Sequence, residues 1–157
     1  NIPYYITTPI LKKIINSKIN FKEIILMVQK EFGEKLCAEA GDKDYNSLTV
    51  FINYYFEVKK LFLVDKKSFS PAPKVDSMII KLNKTNRKTV PKNYLFFEKI
   101  VKESFQFRRK TLQNNLRKYD LTLVKEFLEK NNRNLSIRPQ NISVEDYIEI
   151  ANILLKQ

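Results

Sequence analysis

The chain has no histidine, one cysteine and two glycines among its 157 residues. Each scarcity removes a class of chemistry. Without histidine, Ser-His and Cys-His nucleophile pairs cannot be assembled. With Cys37 alone there is no disulfide framework and no His- or Cys-rich zinc site, so no metal is expected. Gly33 and Gly41 are too few and too far apart to form a Gly-rich loop around a phosphate. No apolar run approaches the roughly 20 residues of a membrane span, and no secretory leader pattern opens the chain. What is left is a globular protein with 43% hydrophobic residues, enough for a packed core. A reducing, cytoplasmic setting is expected, with no membrane partner and a monomeric state. Cys37 reads as a small core residue on a helix.

Against these absences stands a net charge of +12. It is not spread evenly. Residues 1–83 carry 13 basic and 9 acidic side chains, residues 84–118 carry 11 and 2, and residues 119–157 carry 5 and 6. A uniformly lysine-rich composition would distribute its excess. Concentration in one stretch is what a phosphate-binding surface requires, because each Lys or Arg that meets a phosphate releases condensed counterions. Within the stretch, Arg108, Arg109, Lys110, Arg117 and Lys118 are the candidate contacts with nucleic acid.

The apolar pattern divides the chain into two styles. Thr8-Pro9 reads as a helix start, with Thr8 as cap, running to about residue 17. Residues 24–28 are continuously apolar, a buried strand candidate. Residues 30–40 read as a helix, with Gly41-Asp42-Lys43-Asp44 as a turn. Residues 48–55 are apolar and read as a further helix, with a strand as the alternative. Residues 57–64 and 75–82 are strand candidates, expected to pair antiparallel across a loop that Pro71 and Pro73 keep extended. Thr85 to Val90 is a polar linker, and everything after it has helical periodicity, including a capping-box-like Ser143/Asp146 pair. The expected fold class is α/β, a half sheet followed by a small all-helical domain, with boundaries 1–85 and 86–157.

Four ordered stretches, and a fifth at the end, carry a family resemblance. They are Asn1-Ile2-Pro3-Tyr4; Gln29-Lys30-Glu31 with Gly41-Asp42-Lys43-Asp44-Tyr45 and Leu48-Thr49-Val50; Phe69-Ser70-Pro71-Ala72-Pro73-Lys74-Val75-Asp76-Ser77; Phe107-Arg108-Arg109-Lys110-Thr111-Leu112 with Asn114-Asn115-Leu116; and Arg138-Pro139 with Ile142-Ser143-Val144-Glu145-Asp146-Tyr147. Together they resemble the ribosomal RNA adenine dimethyltransferases over nearly the whole chain. The one conservative departure is Ile2, where the family has Leu.

The resemblance implies the C-terminal half of a Rossmann-like S-adenosylmethionine-dependent methyltransferase sheet (1–85), then an α-helical rRNA-binding domain (86–157). It implies dimethylation of the exocyclic amine of two adjacent adenines near the 3′ end of small-subunit rRNA, in ribosome biogenesis. The catalytic residues would be Asn1, Pro3 and Tyr4: the Asn1 side-chain oxygen and the Pro3 carbonyl accept the amine hydrogens, orienting its lone pair without a strong base. Tyr4 and Phe69 would stack against the extruded base. Asn1 would also touch the cofactor, whose Gly-rich loop and ribose-binding acid are expected upstream of Asn1. The chain alone is therefore expected to be inactive and, with an open sheet edge, poorly soluble. Tyr5 and the Tyr54-Tyr55-Phe56 run read as packing, and Gln29, Lys30 and Glu31 as fold support.

Two alternatives remain. An erythromycin-resistance type methyltransferase of large-subunit rRNA shares the first and third stretches, whereas Arg108 to Leu112 resembles the small-subunit enzymes more. A non-catalytic RNA-binding ribosome-assembly protein would have no need of an amine-orienting Asn1 and Pro3. A DNA adenine methyltransferase is disfavoured, because those enzymes usually carry a second proline where Ile2 stands.

Overall fold

The computed structural model describes residues 3–17 and 22–156, and the Tyr4 side chain lies outside that description. The chain forms two compact units. One comprises Asn1–Cys37 and Ile52–Asn86, the other Ala38–Phe51 and Arg87–Gln157.

In the first unit a 3₁₀ turn at Tyr4–Ile6 runs straight into helix α1 (Thr7–Asn16). Thr8 is therefore inside the helix and caps nothing: Ile6 holds the cap position, without a side-chain bond, because no break in the chain precedes the first turn. The apolar run becomes strand β1 (Glu23–Gln29), which passes directly into helix α2 (Lys30–Cys37). This helix stops three residues short of the expected Ala40. Asp42 accepts from the Glu39 N–H at 2.8 Å, and its own N–H donates to the Glu39 carbonyl at 3.0 Å, so residues 39–42 close a turn of their own. Helix α3 (Ser47–Tyr55) leads into strand β2 (Phe56–Val64), and β3 (Ser77–Lys84) completes the sheet.

The sheet order is β1-β3-β2, with β3 antiparallel to both neighbours. The expected antiparallel pair of residues 57–64 and 75–82 is present, as β2 and β3. Directly opposed residues share a face, so Leu26 and Val28 of β1 join Ile80 and Met78 of β3 in one apolar surface. All four are 8% exposed or less. Helix α2 covers that surface at close range. A methyl group on Gly33 would lie 2.6 Å from Met78 Sδ and 3.2 Å from Val28 Cγ2, which is why glycine stands there. Strand β2 carries a bulge: Lys60 faces Ile80 and Phe62 faces Ile79, leaving Leu61 unpaired.

The second unit is helical. Helices α4 (Tyr94–Ser104), α5 (Leu112–Asn115), α6 (Thr122–Lys130) and α7 (Val144–Leu154) pack around Phe97, Ile100, Leu116, Val124, Leu128 and Tyr147, all fully buried. Helix α7 starts with Ser143 accepting from the Asp146 N–H at 3.1 Å. The capping-box expectation is met in altered form: the Ser143 hydroxyl also donates to the Asp146 carboxylate at 2.6 Å, and Arg133 clamps that carboxylate with bonds of 2.7 and 2.8 Å. Burial alone would raise the Asp146 carboxyl. The Arg133 and Ser143 bonds outweigh it and hold the group below its ordinary range.

Residues 38–51, expected in the first domain, fall in the second unit. The Tyr45 ring, 2% exposed, lies 6.3 Å from Phe105, which lies 6.0 Å from Tyr147. The Gly41 N–H donates to the Gln140 carbonyl at 2.7 Å. Gly41 has φ +107°, a backbone that a side chain would strain. The two contacts made by this segment, Tyr45 with Phe105 and Gly41 with Gln140, span 60 and 99 residues of sequence and could not be read from local pattern. Cys37, at the end of α2, is only partly buried, and burial pushes its thiol up against the opposing pull of Lys60.

Candidate nucleic-acid interface

In the first unit, the residues assigned to chemistry sit at its N-terminal turn and in the loop between β2 and β3. Asn1 lies outside the described residues, as does the Tyr4 side chain. Pro3 is exposed, and its carbonyl accepts the Ile6 N–H at 3.2 Å. A carbonyl has two lone pairs, so one remains for another donor. Tyr5, read as packing, is instead 86% exposed, because the 3₁₀ turn points residue 5 away from the core.

The loop is built by two aspartates. Asp65 caps a 3₁₀ turn at Lys66–Ser68, accepting from the Lys67 N–H at 2.8 Å. The Asp76 carboxylate accepts from the Lys66 N–H at 3.1 Å, and its carbonyl accepts from the Lys30 N–H, the first of α2, at 3.0 Å. Phe69 follows the turn in extended conformation, half-buried, before a cis Ser70–Pro71 bond. Asp76 is thus a positioning residue that sequence reading did not single out. Its signal was present, since it lies within the stretch that starts at Phe69, but its partners are ten and forty-six residues away. Glu31 pairs with Lys35 at 2.7 Å along α2.

In the second unit the basic residues surround the connection between α4 and α5. Arg108, Arg109, Lys110, Arg117 and Lys118 are all exposed, but they are not equivalent. The Arg108 guanidinium donates to the carbonyls of Lys43 (2.7 Å) and Tyr45 (3.3 Å), anchoring the 38–51 segment. Lys118 bridges Glu103 at 2.7 Å and lies 5.2 Å above the Tyr119 ring. The hydrogen bond to Glu103 holds its ammonium above the ordinary lysine range. Among the described residues, no carboxylate pairs with Arg109, Lys110 or Arg117.

The connection takes its shape from Asn115. Its Oδ1 accepts from the Phe107 N–H at 3.0 Å, while its Nδ2 donates to the carbonyls of Phe107 (3.2 Å), Thr111 (3.1 Å) and Lys110 (3.4 Å). Thr111 caps α5 by accepting from the Asn114 N–H at 3.3 Å. The carbonyls of Ile137 and Leu135 take up the next two free amides. Asn115 therefore pins a strongly cationic loop that self-repulsion would otherwise spread. Beside it opens a depression of about 640 Å³ lined by Glu103, Phe107, Lys110, Asn114, Arg117 and Lys118, among others.

Solved structures place the sheet-plus-helices arrangement among methyltransferases. A dimethyladenosine transferase from Plasmodium falciparum superposes with TM-score 0.76 at 27% identity, covering 96% of this chain and 63% of that one. The 23S rRNA methyltransferase ErmE superposes with TM-score 0.73 at 26% identity, covering 99% and 63%.

The chain itself belongs to the ribosomal RNA adenine dimethylase family, whose model matches residues 1–156. Its relatives include the ribosomal RNA small subunit methyltransferases A of Clostridium botulinum (strain Kyoto / Type A2), 39% identical over 98% of this chain, and of Ligilactobacillus salivarius (strain UCC118), 43% identical over 99%. The chain spans 57% and 55% of their lengths. No helix among the described residues is long and apolar enough to cross a membrane, and these residues hold no acidic or Cys cluster fit for a metal.

Proposed function

We propose that the protein dimethylates the exocyclic amines of two adjacent adenines near the 3′ end of small-subunit rRNA, as a step in ribosome biogenesis, in the cytoplasm and as a monomer. The observation that carries this reading is family membership along the whole chain, with relatives of the small-subunit type at 39–43% identity. The likeness to ErmE supports a large-subunit target as the second reading, at a lower 26% identity.

S-adenosylmethionine would supply the methyl group. The described residues offer no cradle for it: the Cβ direction of Gly33 is filled by core side chains, and Gly41 belongs to a turn of the helical unit. Its site is assigned to the part of the full-length relatives that this chain does not span, with Asn1 as the one contact from this chain.

What the chain contributes is the substrate side. The Asn1 side-chain oxygen and the second lone pair of the Pro3 carbonyl accept the two amine hydrogens, turning the nitrogen lone pair out of conjugation with the ring. Tyr4 and Phe69 stack the extruded base, each such contact worth about 1–3 kcal/mol. Asp65 and Asp76 fix the turn that presents Phe69, so little ordering remains when the base arrives. Arg109, Lys110 and Arg117 hold rRNA phosphates, with Arg108 and Lys118 contributing field while tied to their neighbours.

The test is Asn1→Ala in the full-length protein, assayed by methyl transfer to small subunits lacking the modification and by subunit binding. Methylation is expected to fall at least a hundredfold with binding nearly unchanged. Normal turnover would remove Asn1 from the amine-orienting role.

A further inference from the structure

The depression beside the α4–α5 connection combines features that the basic residues alone do not account for. Phe107 is 58% exposed, although it is a large apolar side chain in the most charged part of the chain. It makes no ring contact with any aromatic among the described residues, whereas Phe96, Phe97 and Phe105 each pack against a tyrosine. Its backbone cannot drift, because Asn115 holds both its N–H and its carbonyl. The aromatic side chain is thus left bare on a backbone held in place.

The other walls sort by charge state. Glu103 is already neutralised, bridged by Lys118 and accepting from the Tyr119 hydroxyl at 2.9 Å. It presents no net repulsion to an anion. Lys110 and Arg117, which also line the depression, have no carboxylate partner among the described residues. Asn114 is exposed and uses only its backbone N–H, leaving an amide with donor and acceptor to offer. The volume of about 640 Å³ falls within the roughly 300–1,000 Å³ usual for small-ligand clefts.

We propose that this depression holds one unpaired nucleotide of the rRNA, its base stacked on Phe107 with Asn114 at the base edge, and its flanking phosphates on Lys110 and Arg117. This deepens the functional reading above and rests on it, adding a nucleotide subsite in the helical unit to the base bound for methylation. A bare aromatic face flanked by unpaired cations is what single-stranded RNA selects, since every base has a π-face and every link a charge. A helical stem would meet the cations but leave the ring unused. An acidic peptide would use the charges without needing a flat ring.

The test uses the full-length protein and small-subunit rRNA, with affinity measured as a function of salt. Phe107→Ala is expected to weaken binding roughly 5- to 150-fold, the equivalent of about 1–3 kcal/mol for one stacked base. It should leave the salt slope unchanged, because no phosphate contact is lost. Phe107→Trp should restore affinity and Phe107→Leu should not. Lys110→Ala and Arg117→Ala should each flatten the slope by about 0.7, the value for one phosphate of a single strand. Thermal stability should stay at the parent value for Phe107→Ala, which separates lost stacking from lost fold. Wild-type affinity in Phe107→Ala, or full rescue by Phe107→Leu, would overturn the nucleotide subsite alone. Failure of the unaltered protein to bind rRNA would overturn this proposal together with the functional reading beneath it.

Discussion

Replacing Asn115 by alanine tests whether one amide holds the cationic loop in shape. The amide makes one accepted bond, from the Phe107 N–H at 3.0 Å, and three donated contacts of 3.1–3.4 Å. An amide nitrogen has two hydrogens, so one of the three donated contacts is shared, leaving about three bonds' worth of interaction. At roughly 0.5–1.5 kcal/mol net per bond, and with water able to reach much of the loop, the expected cost is about 2 kcal/mol. With a urea slope of about 1–3 kcal/mol/M for a small protein, the midpoint should fall by about 1 M. Affinity for rRNA should fall about tenfold with its salt slope preserved, because the charges remain but must be ordered on binding. Asn115→Asp keeps the acceptor and sets a carboxylate against carbonyl oxygens. If Asn115→Ala has a midpoint within 0.2 M of the parent and unchanged affinity, the pinning role is refuted.

Two further outcomes follow from the packing. Gly33→Ala should destabilise by about 1–2 kcal/mol, because overpacking against Met78 and Val28 exceeds the roughly 1 kcal/mol gain in helix propensity; Gly33→Ala with Met78→Val should recover part of the loss, and a gain in melting temperature for the single variant would contradict the contact. Asp146→Asn should cost about 2 kcal/mol at neutral pH by losing the Arg133 clamp. Since the folded-state pKa of Asp146 is depressed below 3.8, its stabilisation is present above that value and lost as pH falls through the folded one. The gap between parent and variant should therefore narrow at acid pH, as urea titrations at pH 7 and pH 3 would show.

Much of this protein is written locally in its sequence. The continuous apolar run of β1, the helical spacing after residue 90 and the Ser143 cap follow from nearest-neighbour preferences that act over a turn or two. The cationic stretch is equally plain, since charge is counted and needs no geometry. The motif residues also mark the two loops at Phe69 and at Phe107. What the sequence did not convey is which member of each motif acts by contact and which by holding others. Asp76 reaches back to Lys30 and Lys66, Asn115 closes a loop onto Phe107, and Arg108 fastens the 38–51 segment to the helical unit. Each of these bonds needs two backbones brought together by the burial of apolar surface elsewhere. Hydrophobic packing is non-directional and cooperative over the whole chain, so it leaves no local trace in the residues it happens to align. The sequence determined where the positive charge concentrates; the tertiary structure decided which of those side chains are tied to partners within the chain.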